Sequence, residues 1–147
     1  MTIKKINDIF NNLNIFAPYN LLNKSMTTKK ALKVNSEIDK MNIHELFVEY
    51  STVYFDAVLH NSAVLVEWSK RMTLCAGVTY LYTKGNCIIR LSKSILKYRS
   101  IKELQETLLH EMIHAYLFLC KKQTYADYTN GGHGPVFICQ VTKHRHF

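Results

Sequence analysis

Two histidines and a glutamate lie within one short stretch, in the order His110-Glu111-x-x-His114. If this stretch is helical, the two imidazoles lie one turn apart on the same face, with about 6 Å between their Cβ atoms. Two imidazoles at that spacing can bind one zinc ion from the same side. Glu111 follows the first histidine and can reach a water on the metal without binding the metal itself. The stretch therefore predicts two metal ligands and a general base.

A catalytic zinc site needs a third protein ligand, because three ligands leave a fourth position open for water or substrate. The candidate is His133, which lies between glycines in the segment Asn130-Gly131-Gly132-His133-Gly134-Pro135. Glycines on both sides let the backbone turn tightly and approach a metal closely. Zinc lowers the pKa of a bound water to about 7, so that Glu111 can take its proton. We therefore predict that His133 completes the ligand set of His110 and His114.

One predicted helix must hold the first two histidines and the glutamate. It runs from residue 101 to about residue 122. Ser100 can cap its start, and Glu103 is placed three residues later to complete a capping box. The stretch from 104 to 119 is apolar nearly all round, which is typical of a helix that is buried centrally. Such a helix would be a rigid support for a metal site.

The other predicted elements are helices at both ends of the domain and β-strands between them. Apolar residues recur at helical spacing from about 43 to 57. A last helix is expected to begin at Pro135, after a loop over 123–134. Three short β-rich runs occur at residues 64–68, 75–82 and 86–92. Lys84-Gly85-Asn86 predicts a hairpin turn between the last two runs, so we expect a small antiparallel sheet.

Length and composition fit one globular domain. The chain has 147 residues, of which 48% are apolar and 20% charged. It has no apolar run long enough to span a bilayer and no secretory signal at its N-terminus, which points to the cytosol or nucleus. We expect residues 1–40 to form a flexible basic arm that could contain a short helix, and residues 41–147 to form the folded domain. The widely spaced cysteines are expected to be free thiols of the core; they are Cys75, Cys87, Cys120 and Cys139.

The net charge is +8, from 19 lysines and arginines against 11 aspartates and glutamates. A surplus of this size favours anionic partners, with nucleic acid first among them. Solubility alone is the alternative interpretation. The charge by itself does not decide between the two.

Several separated stretches together resemble the SprT family of zinc metalloproteases and, within it, the Spartan-like proteases that act on DNA–protein crosslinks. The likeness covers roughly residues 43–140, and its motifs follow in the family's order: 66–77, 89–92, 106–116 and 132–135. The resemblance implies a compact zincin-like α+β fold, in which a small antiparallel sheet packs on a central HExxH helix with flanking helices. It also implies that His110, His114 and His133 bind Zn²⁺ and that Glu111 is the catalytic base.

The chain departs from the family pattern in two ways. Residues 121–132 are longer than the usual link to the third histidine. Family members commonly continue into a small zinc-binding subdomain that contacts DNA, and Spartan proteases carry motifs for the AAA ATPase p97, the sliding clamp and ubiquitin. We expect this subdomain and these three motifs to be absent from the 147 residues.

The resemblance implies a zinc metalloendopeptidase that hydrolyses proteins crosslinked or tightly bound to DNA. It would be stimulated by single-stranded or disrupted duplex DNA, would serve DNA–protein crosslink repair, and would act on chromatin in the nucleus, with the cytoplasm as a second location. Strand 86–92 is expected to bind the substrate by edge pairing. Two alternatives stay open: a general zinc peptidase without a DNA role, and a non-catalytic zinc-containing DNA-binding module.

Overall fold

A computed structural model describes residues 35–82, 85–123 and 130–144, which form an α+β domain. The predicted arm up to residue 34, part of the predicted hairpin turn and half of the predicted loop 123–134 lie outside these ranges. The helices are α1 (Ser36–Lys40), α2 (Ile43–Tyr54), α3 (Lys93–Leu96), α4 (Ile101–Leu119) and α5 (Pro135–Lys143). The strands are β1 (Val64–Ser69), β2 (Gly77–Leu81) and β3 (Cys87–Ser92).

The three strands form one mixed sheet in the order β1-β3-β2. β2 and β3 pair antiparallel, as the hairpin prediction requires, but β1 and β3 pair parallel. The α+β class is thus confirmed, whereas the prediction of an antiparallel sheet is wrong for β1. The reason is that residues 70–76 carry the chain across the end of β3, so β3 is inserted between β1 and β2.

Two serines, one at the end of β3 and one in α3, hold this crossover in place. The backbone N–H of Ser92 donates to the carbonyl of Ala76 at 2.7 Å, and its hydroxyl donates to the carbonyl of Met72 at 2.5 Å. The hydroxyl of Ser94 donates to the carbonyl of Lys70 at 2.8 Å. β3 is therefore the middle strand, and the interpretation of 86–92 as an edge strand is wrong. Among the described strands, β1 and β2 lie at the edges.

α4 begins at the predicted capping box. The hydroxyl of Ser100 accepts from the backbone N–H of Glu103 at 3.2 Å, and the carboxylate of Glu103 accepts from the backbone N–H of Ser100 at 2.8 Å. Arg99 also donates to this carboxylate, at 2.9 Å. These bonds satisfy backbone donors that the first turn of a helix leaves without a partner. The start of the helix is thus fixed nine residues before His110 by local chemistry alone.

α4 ends at Leu119, slightly before the predicted end at about residue 122. Lys121 adopts the left-handed conformation with φ of 51°. This allows the backbone N–H of Lys122 to donate to the carbonyl of Leu117 at 2.9 Å, and that of Lys121 to donate to Phe118 at 3.1 Å. The pair of bonds is a Schellman motif, which closes the last helical turn.

α4 packs against the inner face of the sheet, beneath β2 and β3, and also contacts α1, α2 and α5. Its buried side chains face these neighbours, and they are Leu104, Leu108, Leu109, Glu111, Met112, Ile113, Ala115 and Leu117. The prediction of a central helix is confirmed. In the part of the chain that the structure describes, no helix is long and apolar enough to cross a membrane.

α1 belongs to the packed domain, although the flexible arm was predicted to extend to residue 40. The side chain of Ile38 is only 1% exposed and lies in the hydrophobic core. The backbone N–H of Asn35 donates to the carbonyl of Lys97 at 2.6 Å. One buried isoleucine among polar residues is a weak signal of a packed helix, and for this reason the sequence pattern did not predict α1.

Candidate metal centre and general base

The three predicted ligands converge on one point. The Nε2 atoms of His110 and His114 lie 3.2 Å apart, those of His114 and His133 lie 3.1 Å apart, and those of His110 and His133 lie 3.0 Å apart. His110 and His114 lie on successive turns of α4, and His133 lies in the segment just before α5. Among the described residues, these histidines are the one group of three or more His, Cys, Asp or Glu with metal-binding spacing.

Two glycines bring His133 to the helix. Gly131 and Gly132 have φ of 62° and 84°, a region that residues with a Cβ rarely adopt. A Cβ on Gly132 would lie 3.1 Å from Cε1 of His114, which is tighter than an ordinary contact. The loop can therefore approach α4 closely only because this position carries no side chain.

A buried phenylalanine lies against all three imidazoles. The ring centroid of Phe137 is 5.0 Å from that of His110, 4.5 Å from that of His114 and 4.8 Å from that of His133. Its ring stacks on His114 with an interplanar angle of 29°, and it is fully buried. Sequence reasoning missed Phe137. A usable signal was present, since it is a large aromatic residue four positions after a predicted ligand, in the first turn of a predicted helix.

The protonation state of the imidazoles fits a metal ion. Burial lowers the pKa of His110 well below its ordinary value, and the neighbouring His114 and His133 lower it further. Burial, then His133, lowers the pKa of His114 to about 3, and burial also lowers the pKa of His133. All three rings are therefore neutral near pH 7, which is the form that binds metals.

The spacing of the three nitrogens also fits a metal ion. Nitrogens bound to one ion at about 2.0–2.1 Å in a tetrahedral arrangement lie roughly 3.3 Å from one another. The observed Nε2 separations of 3.0–3.2 Å are close to this value. Imidazole nitrogen is a common ligand of divalent transition metals, so the three histidines could hold such an ion.

Glu111 is buried, with 7% of its surface exposed, and it contacts β2. The hydroxyl of Thr79 donates to its Oε2 at 2.7 Å. Burial raises the pKa of Glu111 to about 7, against the opposing effect of the hydrogen bond from Thr79. A carboxyl group with a pKa near the working pH is suited both to accept and to return a proton.

Gly77 gives the side chain of Glu111 its space. A Cβ on Gly77 would lie 2.8 Å from Cγ of Glu111 and 2.9 Å from its Oε1. Sequence reasoning missed both Gly77 and Thr79 as neighbours of the glutamate. No signal in the sequence could have found them, because the contact depends on how β2 is placed over α4.

The fold and the site together define a class: an α+β domain whose central helix carries a His-Glu-x-x-His pattern and whose third histidine precedes the last helix. The chain belongs to the SprT-like family, to which residues 43–146 match. The resemblance noted in the sequence is thereby confirmed.

Curated relatives are named for a DNA-dependent activity. The "DNA-dependent metalloprotease SPRTN" of Homo sapiens is 49% identical over 106 residues, which cover 71% of this chain and 20% of the human protein. The protein of that name in Danio rerio is 46% identical over 103 residues, or 69% of this chain and 15% of the relative. The "DNA-dependent metalloprotease dvc-1" of Caenorhabditis elegans is 43% identical over 108 residues, or 71% and 27%. The match thus spans about a fifth of the length of these relatives.

Proposed function

We propose that this chain is a zinc metalloendopeptidase domain that hydrolyses proteins crosslinked or tightly bound to DNA, and that DNA stimulates it. The proposal rests on the convergence of the three Nε2 atoms, which lie 3.0–3.2 Å from one another. Glu111, which directly follows the ligand His110 in the sequence, is buried. A purely structural metal site has no use for such a base. The role would be in DNA–protein crosslink repair.

His110, His114 and His133 would hold the metal ion, and Glu111 would be the catalytic residue. A bound zinc ion supplies Lewis acidity, which polarises the scissile carbonyl and acidifies the attacking water. Glu111 takes a proton from this water as the water oxygen bonds to the carbonyl carbon. It then passes the proton to the amide nitrogen as the C–N bond breaks. The new carboxyl end thus gains the OH of the water, and the new amino end gains its remaining hydrogen.

The substrate would bind in extended form along β2, an edge strand that contacts the helix with the glutamate. Thr79 links this strand directly to Glu111 through the 2.7 Å hydrogen bond. Edge pairing reads backbone amides rather than side chains. We therefore expect little sequence preference at the cleavage site, and a sharp cleavage consensus that depends on one side chain would contradict this part of the proposal.

Two observations support DNA as the partner and activator. The relatives that match most of this domain are named DNA-dependent metalloproteases. The chain also carries a net charge of +8, which favours a polyanion. Single-stranded or disrupted duplex DNA is the proposed activator, DNA-bound proteins are the substrates, and chromatin in the nucleus is the proposed location, with the cytoplasm second.

The test is cleavage of a histone by the zinc-loaded chain, with and without single-stranded DNA. Glu111→Gln is expected to abolish cleavage while leaving the zinc content at one ion per chain, since the amide cannot take the proton. The matched control is Glu106→Gln, the same chemical change on the same helix, at a residue whose carboxylate lies 3.8 Å from Lys102. This control is expected to cleave as the native chain does.

The outcomes separate the alternatives. Cleavage that needs both DNA and Glu111 supports the proposal. Cleavage that needs Glu111 but ignores DNA would identify a general zinc peptidase. DNA binding and full zinc content with no cleavage in any sample would favour a non-catalytic DNA-binding module. Equal cleavage by Glu111→Gln and the native chain would overturn the assigned base.

A further inference from the structure

We propose that Thr79 is the positioning residue of Glu111: its hydroxyl holds the carboxylate in the orientation that proton transfer requires. The inference rests on the proposed function, because it assigns a role to Thr79 in the same reaction. It is carried by the geometry of β2 over α4.

Thr79 lies on the face of β2 that packs against α4, and its hydroxyl contacts Glu111 of that helix. It is paired with Ile89, a fully buried residue of β3, and both face α4. The hydroxyl oxygen of Thr79 is 2.7 Å from Oε2 of Glu111 and 2.9 Å from the main-chain carbonyl oxygen of the same residue. Among the described residues, Thr79 is the one side chain that donates to this carboxylate.

A threonine hydroxyl has one proton, so it donates to one of these two acceptors at a time. The ionised carboxylate is the stronger acceptor, and hydrogen bonds to a charged oxygen are shorter and stronger than neutral ones. Thr79 therefore fixes Oε2 when Glu111 is ready to accept a proton. When Glu111 carries the proton, the same hydroxyl can turn to the main-chain carbonyl without moving the strand.

Gly77 and Thr79 act on the carboxylate from adjacent positions of the same strand face, since residues two apart point the same way. A Cβ on Gly77 would lie 2.9 Å from Oε1. The backbone of β2 thus lies close to Oε1 at Gly77. The other carboxylate oxygen, Oε2, accepts the hydrogen bond from the hydroxyl of Thr79. A glutamate has three rotatable side-chain bonds, and the close approach of Gly77 and the hydrogen bond from Thr79 limit their freedom.

The experiment compares Thr79→Val, which keeps the shape but removes the hydroxyl, with Thr79→Ser, which keeps the hydroxyl. The matched control is Thr107→Val, because the hydroxyl of Thr107 donates to the carbonyl of Glu103 at 2.7 Å within α4. The measurements are kcat and KM for a peptide substrate, zinc affinity by chelator competition, and the carboxyl ¹³C resonance of Glu111 in the metal-free protein. That resonance is assigned by its loss in Glu111→Gln.

Thr79→Val is expected to lower kcat about tenfold to a hundredfold, the usual cost of removing a partner that orients a site residue. KM and zinc affinity should change by less than about twofold, because no substrate or metal contact is removed. Thr79→Ser should restore kcat to within a factor of about three. The Glu111 resonance should shift in Thr79→Val and stay in place in Thr107→Val.

Two results would overturn the inference. One, for a native chain that cleaves the substrate, is equal kcat for Thr79→Val and Thr107→Val. The other is an unshifted Glu111 resonance in Thr79→Val, which decides the matter even if the native chain cleaves no substrate. A shifted resonance in an inactive native chain would support the positioning contact and count against the proposed function alone.

Discussion

The site has two sides that are built differently. On the ligand side, three imidazoles meet over the ring of Phe137, and two of them come from one helix. On the carboxylate side, Glu111 of the same helix lies against Gly77 and Thr79 of an edge strand. One helix thus presents ligands to a loop and a carboxylate to a sheet.

This difference separates two roles: the segment before α5 affects metal binding, and β2 affects the position of the Glu111 carboxylate. The segment 130–134 before α5 determines whether the third imidazole reaches the other two. β2 determines where the carboxyl oxygens of Glu111 lie. We therefore expect changes in the loop to alter metal affinity, and changes in β2 to alter turnover while the metal stays bound. Each side has one glycine at its closest approach, and these two glycines give the clearest tests.

The largest effect is expected for Gly77→Ala. The new Cβ would lie 2.8 Å from both Cγ of Glu111 and Cγ2 of Thr107, so the carboxylate must move. A displacement of about 1 Å can cost on the order of a hundredfold in rate. We expect kcat/KM to fall about a hundredfold and zinc affinity to change by less than about twofold, as measured by peptide cleavage and chelator competition.

The control for that variant is Gly85→Ala, in which the added Cβ meets nothing within 4 Å although the backbone is strained by φ of 79°. Its turnover should equal that of the native chain. Loss of zinc together with activity in Gly77→Ala would show that the two sides are not separable.

Gly132→Ala is expected to have the opposite effect to Gly77→Ala: it should lower zinc affinity and leave kcat at saturating zinc nearly unchanged. The residue has φ of 84°, and its Cβ would press on the ring of His114 at 3.1–3.2 Å. A left-handed conformation costs a residue with a Cβ roughly 1–2 kcal/mol, so zinc affinity should fall about tenfold. At saturating zinc, kcat should return to within a factor of about three of the native value.

Gly131→Ala is the matched control for the loop, because its φ of 62° imposes a similar strain while its Cβ would be 3.9 Å from His133. Its zinc affinity should fall less than that of Gly132→Ala. Equal losses of zinc affinity in Gly131→Ala and Gly132→Ala would mean that backbone strain alone causes the effect. The close approach of residue 132 to His114 would then not contribute to zinc affinity.

The two sides also differ in how far the sequence predicts them. The ligand spacing of His110 and His114, the capping box at Ser100 and the glycine-flanked His133 are local patterns, and the structure places each of them as expected. The contact of Thr79 with Glu111 joins residues 32 positions apart and depends on strand order. That order was predicted wrongly, because the β-rich runs have similar patterns and do not specify that β3 inserts between β1 and β2.

Phe137→Leu tests the ligand side by removing the aromatic ring that packs against the three imidazoles. Loss of the ring that stacks on His114 should lower zinc affinity about threefold to tenfold, since one aromatic contact contributes about 0.5–1.5 kcal/mol. The control is Phe55→Leu, another almost fully buried phenylalanine, whose ring packs on Tyr116 and His144. Both variants lose stability, but Phe55→Leu should keep native zinc affinity. An equal loss of affinity in both would reduce Phe137 to a general core residue.

The smallest effect is expected for Ser100→Ala, which should change neither side of the site. Burial raises the pKa of Glu103, but hydrogen bonds from Ser100 and then Arg99 outweigh it and hold that pKa below its ordinary value. Removing the cap should lower the free energy of unfolding of the metal-free protein by about 1 kcal/mol near pH 7.

The sign of the pH dependence follows from the lowered pKa of Glu103. A carboxyl whose pKa is lower in the folded state stabilises the protein above its unfolded pKa, and this stabilisation is lost as the pH falls through the folded value. Urea unfolding should therefore show the gap between the native chain and Ser100→Ala narrowing in acid, with Ser36→Ala, at an exposed position, as the control. A changed zinc affinity or kcat in Ser100→Ala would mean that the start of α4, nine residues before His110, is coupled to the site.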